Sequence, residues 1–144
     1  MKNNKNIIET KKSEIKITVG ITAYKVSQYL EKALNSVINQ SSDKWRGVLI
    51  LDGGNDKHTE KLFNMFQHPN FKKYSFTKNQ GPYKTRTKAI ELSKTEWYLQ
   101  LDGDDYLPEN AIEILIRAIE NEPNSYFIYG NCLHFNDLSS YRQY

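Results

Sequence analysis

A chain of 144 residues with 38% hydrophobic and 12% aromatic residues has the length of one domain and enough apolar side chains for a core, which excludes a disordered segment. A net charge of +3 gives no reason to expect a nucleic-acid partner, and one cysteine, Cys132, excludes an intrachain disulfide. No run approaches the ~18 apolar residues of a membrane span, and the Lys- and Asn-rich start lacks the apolar stretch of a secretory signal, so a reducing, cytoplasmic location is the expectation.

Residues 1–14 read as a flexible polar tail, and an alternation of strands and helices follows. Ile15 to Ile21 is a β-branched run and predicts a strand. Val26 to Asn39 places Tyr29, Leu30, Ala33, Leu34, Val37 and Ile38 on one helical face, with Ser27 as N-cap. Gly47 to Leu51 is a continuously apolar strand, Thr59 to Phe66 a helix, Phe71 to Phe76 a strand, and Tyr83 to Ser93 a polar helix. Trp97 to Leu101 predicts the next strand. Pro108 suits the first turn of a helix carrying Ile112, Leu115, Ile116 and Ile119, because its missing N–H costs nothing there. Tyr126 to Leu133 closes the series as an apolar strand, within which Cys132 reads as a small buried residue.

Four successive strand–helix alternations predict an α/β fold with a mostly parallel central sheet flanked by helices. Right-handed crossovers then bring the strand ends Ile21, Leu51 and Leu101 to one edge, where such sheets bind ligands. The polar turns beyond those ends are therefore the candidate site. Thr22 and Tyr24 can bond and stack a nucleobase, or Tyr24 can simply pack over the next helix. Asp52, beside two glycines, can accept from a base N–H or a ribose hydroxyl, or belong to an ordinary turn. On the helix after Gly81-Pro82, Arg86 can clamp a phosphate bidentately, whereas Lys84 and Lys88 read as a solvated basic face.

The sharpest signal is Asp102-Gly103-Asp104-Asp105, three carboxylates within four residues at a strand end. Mutual repulsion makes such a cluster costly unless a cation is shared, and hard oxygen ligands suit Mg²⁺ or Mn²⁺ with phosphate oxygens completing the shell. One of the three, Asp105, is accounted for by the favourable dipole of a helix N-terminus. His58, His68 and His134 lack zinc-ligand spacing, and no nucleophile elbow, Walker loop or dinucleotide fingerprint is present.

In order and spacing these segments resemble family 2 glycosyltransferases of the GT-A fold. The likeness runs from about Ile15 to about Asn136. Ile21-Thr22-Ala23-Tyr24 is similar to the family's first-strand motif, with Lys25 where an Asn is usual. Ser36-Val37-Ile38-Asn39-Gln40 is similar to its Ser-hydrophobic-x-x-Gln. Asp52 resembles the base-reading aspartate, although many members carry two adjacent aspartates and this chain has Gly53 second. Asn79-Gln80-Gly81 with Arg86-Thr87 resembles its Asn-x-Gly and Arg-Asn segments, with Thr for Asn. Asp102-Gly103-Asp104 resembles its DxD motif.

The resemblance implies a Rossmann-like, nucleotide-sugar-binding domain over residues 15–144 and inverting transfer from a nucleoside diphosphate sugar, a UDP-sugar by expectation. Thr22, Tyr24 and Asp52 would hold base and ribose, Arg86 would lie near the base or diphosphate, Asp102 would contact the ribose or a metal-bound water, and Asp104, with Asp102 beside it, would ligate Mn²⁺ or Mg²⁺. The catalytic base of the family lies well beyond the DxD motif, in a C-terminal half that builds the acceptor site and is expected to be missing from these residues. Asp137 is the only aspartate after Asp105, and nothing marks it as that base. The acceptor (saccharide, lipid-linked or protein), a peripheral membrane association and a homo-oligomer stay open. So do three rival readings: a non-catalytic nucleotide- or sugar-binding module, a nucleotidyltransferase, for which a Gly-rich basic loop after the first strand is wanting, and a tyrosine-rich interaction domain.

Overall fold

The computed structural model describes residues 14–135 and 141–143. The tail predicted over residues 1–14 thus falls, but for Glu14, outside the described residues, as does Asp137. Contacts divide the chain into two compact units, residues 1–113 and 114–144.

The first unit holds four βα alternations: β1 (Ile17–Ala23), α1 (Leu30–Ile38), β2 (Trp45–Leu51), α2 (Lys57–Met65), β3 (Phe71–Ser75), α3 (Gly81–Leu92), β4 (Trp97–Asp102) and the start of α4 (Ala111–Asn121). The four strands form one sheet in the order β3-β2-β1-β4, and every pairing is parallel. The central strands β1 and β2 are buried along almost their whole length, which is why they read as unbroken apolar runs. The edge strand β3 alternates half-buried and exposed residues and carries Lys72 and Lys73, a charged edge that discourages pairing with another chain.

From β1 the chain steps through β2 to β3 and then returns past β1 to β4. This reversal leaves a crevice beyond the carboxyl ends of β1 and β4, the place where open α/β sheets bind ligands. On one sheet face Val48 and Ile50 pack with Ala89 of α3, flanked by Phe76, Leu92 and Tyr98. Leu30, Ala33, Leu34 and Val37 are the buried stripe of α1, as their spacing predicts.

Several boundaries differ from the sequence reading. Val26 to Tyr29 forms a turn, and α1 begins at Leu30 without a side-chain cap, so Ser27 is not its N-cap. Pro108 lies three residues before α4, its carbonyl accepting from Ala111 N–H, rather than in the first turn. In the second unit the expected strand over 126–133 does not form. Only Leu133–Phe135 (β5) is extended, paired antiparallel with Tyr141–Gln143 (β6). Tyr126, Phe127 and Tyr129 are 100%, 78% and 83% exposed, so the apolar run that suggests a buried strand has no sheet or core around it among the described residues. Cys132, in the same run, is exposed rather than buried. No helix among the described residues is long and apolar enough to cross a membrane.

The cap that the sequence reading passed over is Asp56. Its carboxylate accepts from the N–H groups of His58 and Thr59 and from the Thr59 hydroxyl at 2.6 Å, closing the N-terminus of α2. The Thr59 hydroxyl bond, with the backbone bonds behind it, holds the Asp56 carboxyl below its usual 3.8. A carboxyl whose pKa is lowered on folding stabilises fully above its unfolded value and loses that contribution as the pH falls through its folded value. Asp56→Ala is therefore expected to lower the urea midpoint by a constant amount above about pH 5 and by a shrinking amount as the pH drops below 3.8. A deficit that persists undiminished to about pH 2 would show that the ionised cap is not its source.

Candidate nucleotide-binding site

Parallel pairing places Thr22 beside Asp102 and Ala23 beside Leu51, so the three turns predicted to converge do so at one edge. There they line a cleft of about 390 Å³ that includes Thr22, Tyr24, Asp52, Arg86, Asp102 and Asp104. All six residues singled out from the sequence thus face one space.

Asp52 is 3% exposed. Its Oδ1 accepts from Gly53 N–H at 3.0 Å and Gln80 N–H at 2.7 Å, and its Oδ2 accepts from Gly81 N–H at 2.9 Å. Both Gln80 and Gly81 open α3, so the carboxylate at the end of β2 caps that helix and fixes where it starts. One lone pair of the four on a carboxylate remains for a ligand. Helix α3 then presents Arg86, whose Nη2 lies 2.5 Å from Asp102 Oδ2 and whose Nε lies 3.3 Å from Oδ1, a two-pronged ion pair. The hydrogen bond to Asp102, with its charge, raises the Arg86 pKa further above its ordinary value.

Asp102 is held from the sheet as well. Thr22 Oγ1 donates to its Oδ1 at 3.2 Å, and Gln100 Nε2 donates to the same oxygen at 3.1 Å. Asp104 differs. It is exposed on the cleft wall, and its carboxylate has no hydrogen bond or ion pair among the described residues. Tyr24 is 41% exposed at the rim, with the Lys25 ammonium 5.1 Å from its ring centre. The described residues contain no cluster of three or more His, Cys, Asp or Glu side chains able to hold a metal by themselves.

The loop after the acidic turn is anchored by Ser36 and Gln40. Ser36 Oγ accepts from Leu107 N–H at 3.1 Å. Gln40 Nε2 donates to Pro108 O at 2.6 Å, and Gln40 Oε1 accepts from Ile112 N–H at 2.8 Å. The Ser-hydrophobic-x-x-Gln motif therefore ties the end of α1 to the segment that follows Asp102 and Asp104.

A model of Glycosyl transferase family 2 matches residues 18–144. The chain belongs to that family. An uncharacterised glycosyltransferase of Haemophilus influenzae is 31% identical over 98 residues, 67% of this chain and 39% of the relative. The glycosyltransferase GlyA of Streptococcus pneumoniae is 29% identical over 85% of this chain and 17% of its own length. The crystal structure of Staphylococcus aureus TarS 1–349 in complex with UDP superposes with a TM-score of 0.64 at 26% identity, over 75% of this chain and 33% of that one. The mannosyltransferase PcManGT of Pyrobaculum calidifontis, in complex with GDP-Man and Mn²⁺, shares the fold with a TM-score of 0.63 at 18% identity, over 78% of this chain and 34% of that one. The sheet and its flanking helices are thus the GT-A arrangement, and the chain spans about two-fifths or less of the curated relatives named here.

Two departures from the family pattern have visible structural consequences. Lys25, where Asn is usual, adopts φ +54, and its N–H donates to Asn55 Oδ1 at 2.6 Å. Left-handed backbone is unfavourable for most L-residues and tolerated by Asn. Gly53 occupies the place of the second aspartate, and a Cβ there would fall on the backbone of Lys78. We expect Lys25→Asn to raise unfolding stability by about 0.5–1 kcal/mol in urea titrations. Gly53→Asp is expected to lower it by about 1–3 kcal/mol, with an unchanged midpoint showing that the 76–80 segment gives way.

Proposed function

We propose that the first unit is the donor-binding part of an inverting glycosyltransferase and takes a nucleoside diphosphate sugar, with UDP as its nucleotide. The observation that carries this reading is the convergence of Thr22, Tyr24, Asp52, Arg86, Asp102 and Asp104 on one cleft at the reversal point of a parallel sheet. TarS in complex with UDP supports the choice of uracil, being similar in both fold and sequence. In this assignment Tyr24 offers its exposed face to the base, and Thr22 and the last free lone pair of Asp52 meet polar edges of base or ribose.

The donor set also fits a divalent cation. Asp104 is an unengaged carboxylate on the cleft wall, and Asp102 stands two residues before it. One or two carboxylates completed by phosphate oxygens and water is how Mg²⁺, and by the same chemistry Mn²⁺, is held at phosphate sites. Bound there, the ion would supply Lewis-acid stabilisation of the departing nucleoside diphosphate. Arg86 is placed to share that anionic charge from α3, at the cost of part of its pairing with Asp102. Transfer with inversion further requires a carboxylate that removes the proton of the acceptor hydroxyl. No residue described here is assigned that role.

Calorimetric titration of UDP into the 144-residue chain tests the reading. We expect micromolar-to-millimolar binding with Mn²⁺ that EDTA removes. Asp104→Ala should weaken Mn²⁺-dependent binding by about tenfold or more, which is roughly 1.4 kcal/mol or more. Binding indifferent to EDTA and to Asp104→Ala would remove the metal from the assignment, and no binding at all would remove the donor site.

A further inference from the structure

Between Leu99 and Leu101, the half-buried edge strand β4 carries an amide. Gln100 Nε2 donates to Asp102 Oδ1 at 3.1 Å and to Thr22 Oγ1 at 3.2 Å, and Gln100 Oε1 accepts from the Tyr98 hydroxyl at 2.6 Å. The pattern permits one orientation of the amide. An ionised carboxylate only accepts, so the NH₂ end must face Asp102, and the carbonyl end then needs the donor that Tyr98 provides. A phenol keeps its proton at neutral pH, so the Tyr98 hydroxyl is a donor, and burial pushes its pKa further above the ordinary 10.0. Space for that hydroxyl comes from β1, where Gly20 has no side chain and a Cβ would fall inside the Tyr98 phenol.

Residues 98, 100 and 102 share one face of β4 by strand periodicity, and Thr22 joins them by its register with Asp102. The chain of bonds therefore runs along the sheet from Tyr98 through Gln100 to the two groups at the cleft. We propose that Gln100 and Tyr98 are positioning residues of the donor site: the Tyr98 hydroxyl fixes the Gln100 amide, and that amide fixes the Thr22 hydroxyl and the Asp102 carboxylate for nucleotide and metal. The inference rests on the donor reading above. Neither residue lines the cleft, so each acts through Asp102 and Thr22 rather than by touching the ligand. Without the amide, Oδ1 of Asp102 keeps only the longer bonds from Thr22 at 3.2 Å and Arg86 at 3.3 Å, and the carboxylate is free to follow the exposed guanidinium.

The test compares UDP affinity with Mn²⁺ and with EDTA in the whole chain, wild type against Gln100→Leu and Tyr98→Phe. The ratio of the two affinities isolates the metal-dependent part of binding, which a general loosening of the fold does not move selectively. We expect Gln100→Leu to reduce the ratio about tenfold and Tyr98→Phe about threefold, with urea midpoints close to wild type. Should Gln100→Leu fail to fold, Tyr98→Phe, which removes a single oxygen, carries the test. An unchanged ratio in the folded variants, or equal losses with and without metal, overturns this inference and leaves the donor reading standing. A wild type that shows no metal-dependent UDP binding overturns the donor reading and this inference with it.

Discussion

Asp52 places a carboxylate almost entirely out of water with no cation beside it among the described residues, and it meets that cost with three backbone N–H groups. Because two of those groups belong to the opening of α3, the bonds fix the helix against the end of β2. Arg86, on the second turn of α3, is thereby delivered to Asp102 at the end of β4. Three strand ends and one helix are in this way tied through two carboxylates. Asn55 adds a further brace, donating to the Asp52 carbonyl while accepting from Lys25 N–H, so the turns after β1 and β2 are joined as well.

What could be read in the sequence follows from how local each signal is. The apolar runs Ile17–Ile21 and Gly47–Leu51 announce themselves because parallel strands buried on both faces tolerate little else, and their order fixes a parallel sheet with its ligand edge. The six cleft residues were legible for the same reason: each sits in the turn directly after a predicted strand or on the helix that follows. The start of α1 was not. Ser27 has the chemistry of an N-cap, yet the chain turns once more before the helix begins at Leu30, a choice made by packing rather than by the cap. Tyr126 to Leu133 misled because hydrophobicity alone implies burial, whereas a strand also needs a neighbour to bond, and the aromatic residues there have none among the described residues.

The role of Asp52 as a helix cap was hidden for a different reason, since its partners Gln80 and Gly81 are far along the chain and no spacing rule connects them. Gln100 left one trace, a polar residue inside an apolar strand. Only the register with Thr22 gives that trace a meaning. Ser36 and Gln40 stood out by resemblance but without a purpose, and the bonds to Leu107, Pro108 and Ile112 supply one. They hold in place the segment that follows the acidic turn. In each case the missing information was a long-range pairing, which is what tertiary structure adds to local pattern.

Charge sets the last constraint on the cleft. Its wall carries Asp52, Asp102 and Asp104, and among its lining residues Arg86 is the one cation. A diphosphate entering this space adds negative charge to a surface that is already acidic, and the guanidinium is paired with Asp102. If Arg86 turned wholly to the phosphates, Asp102 would be left beside them without its counter-charge, so one arginine cannot serve both anions at full strength. In the proposed donor complex a divalent cation held by Asp104 and Asp102 would resolve that conflict, because it would neutralise carboxylate and phosphate charge together. The sheet-side donors Thr22 and Gln100 then acquire a second purpose. In that complex they would hold the Asp102 carboxylate at the strand end, where it would already be in position as a ligand.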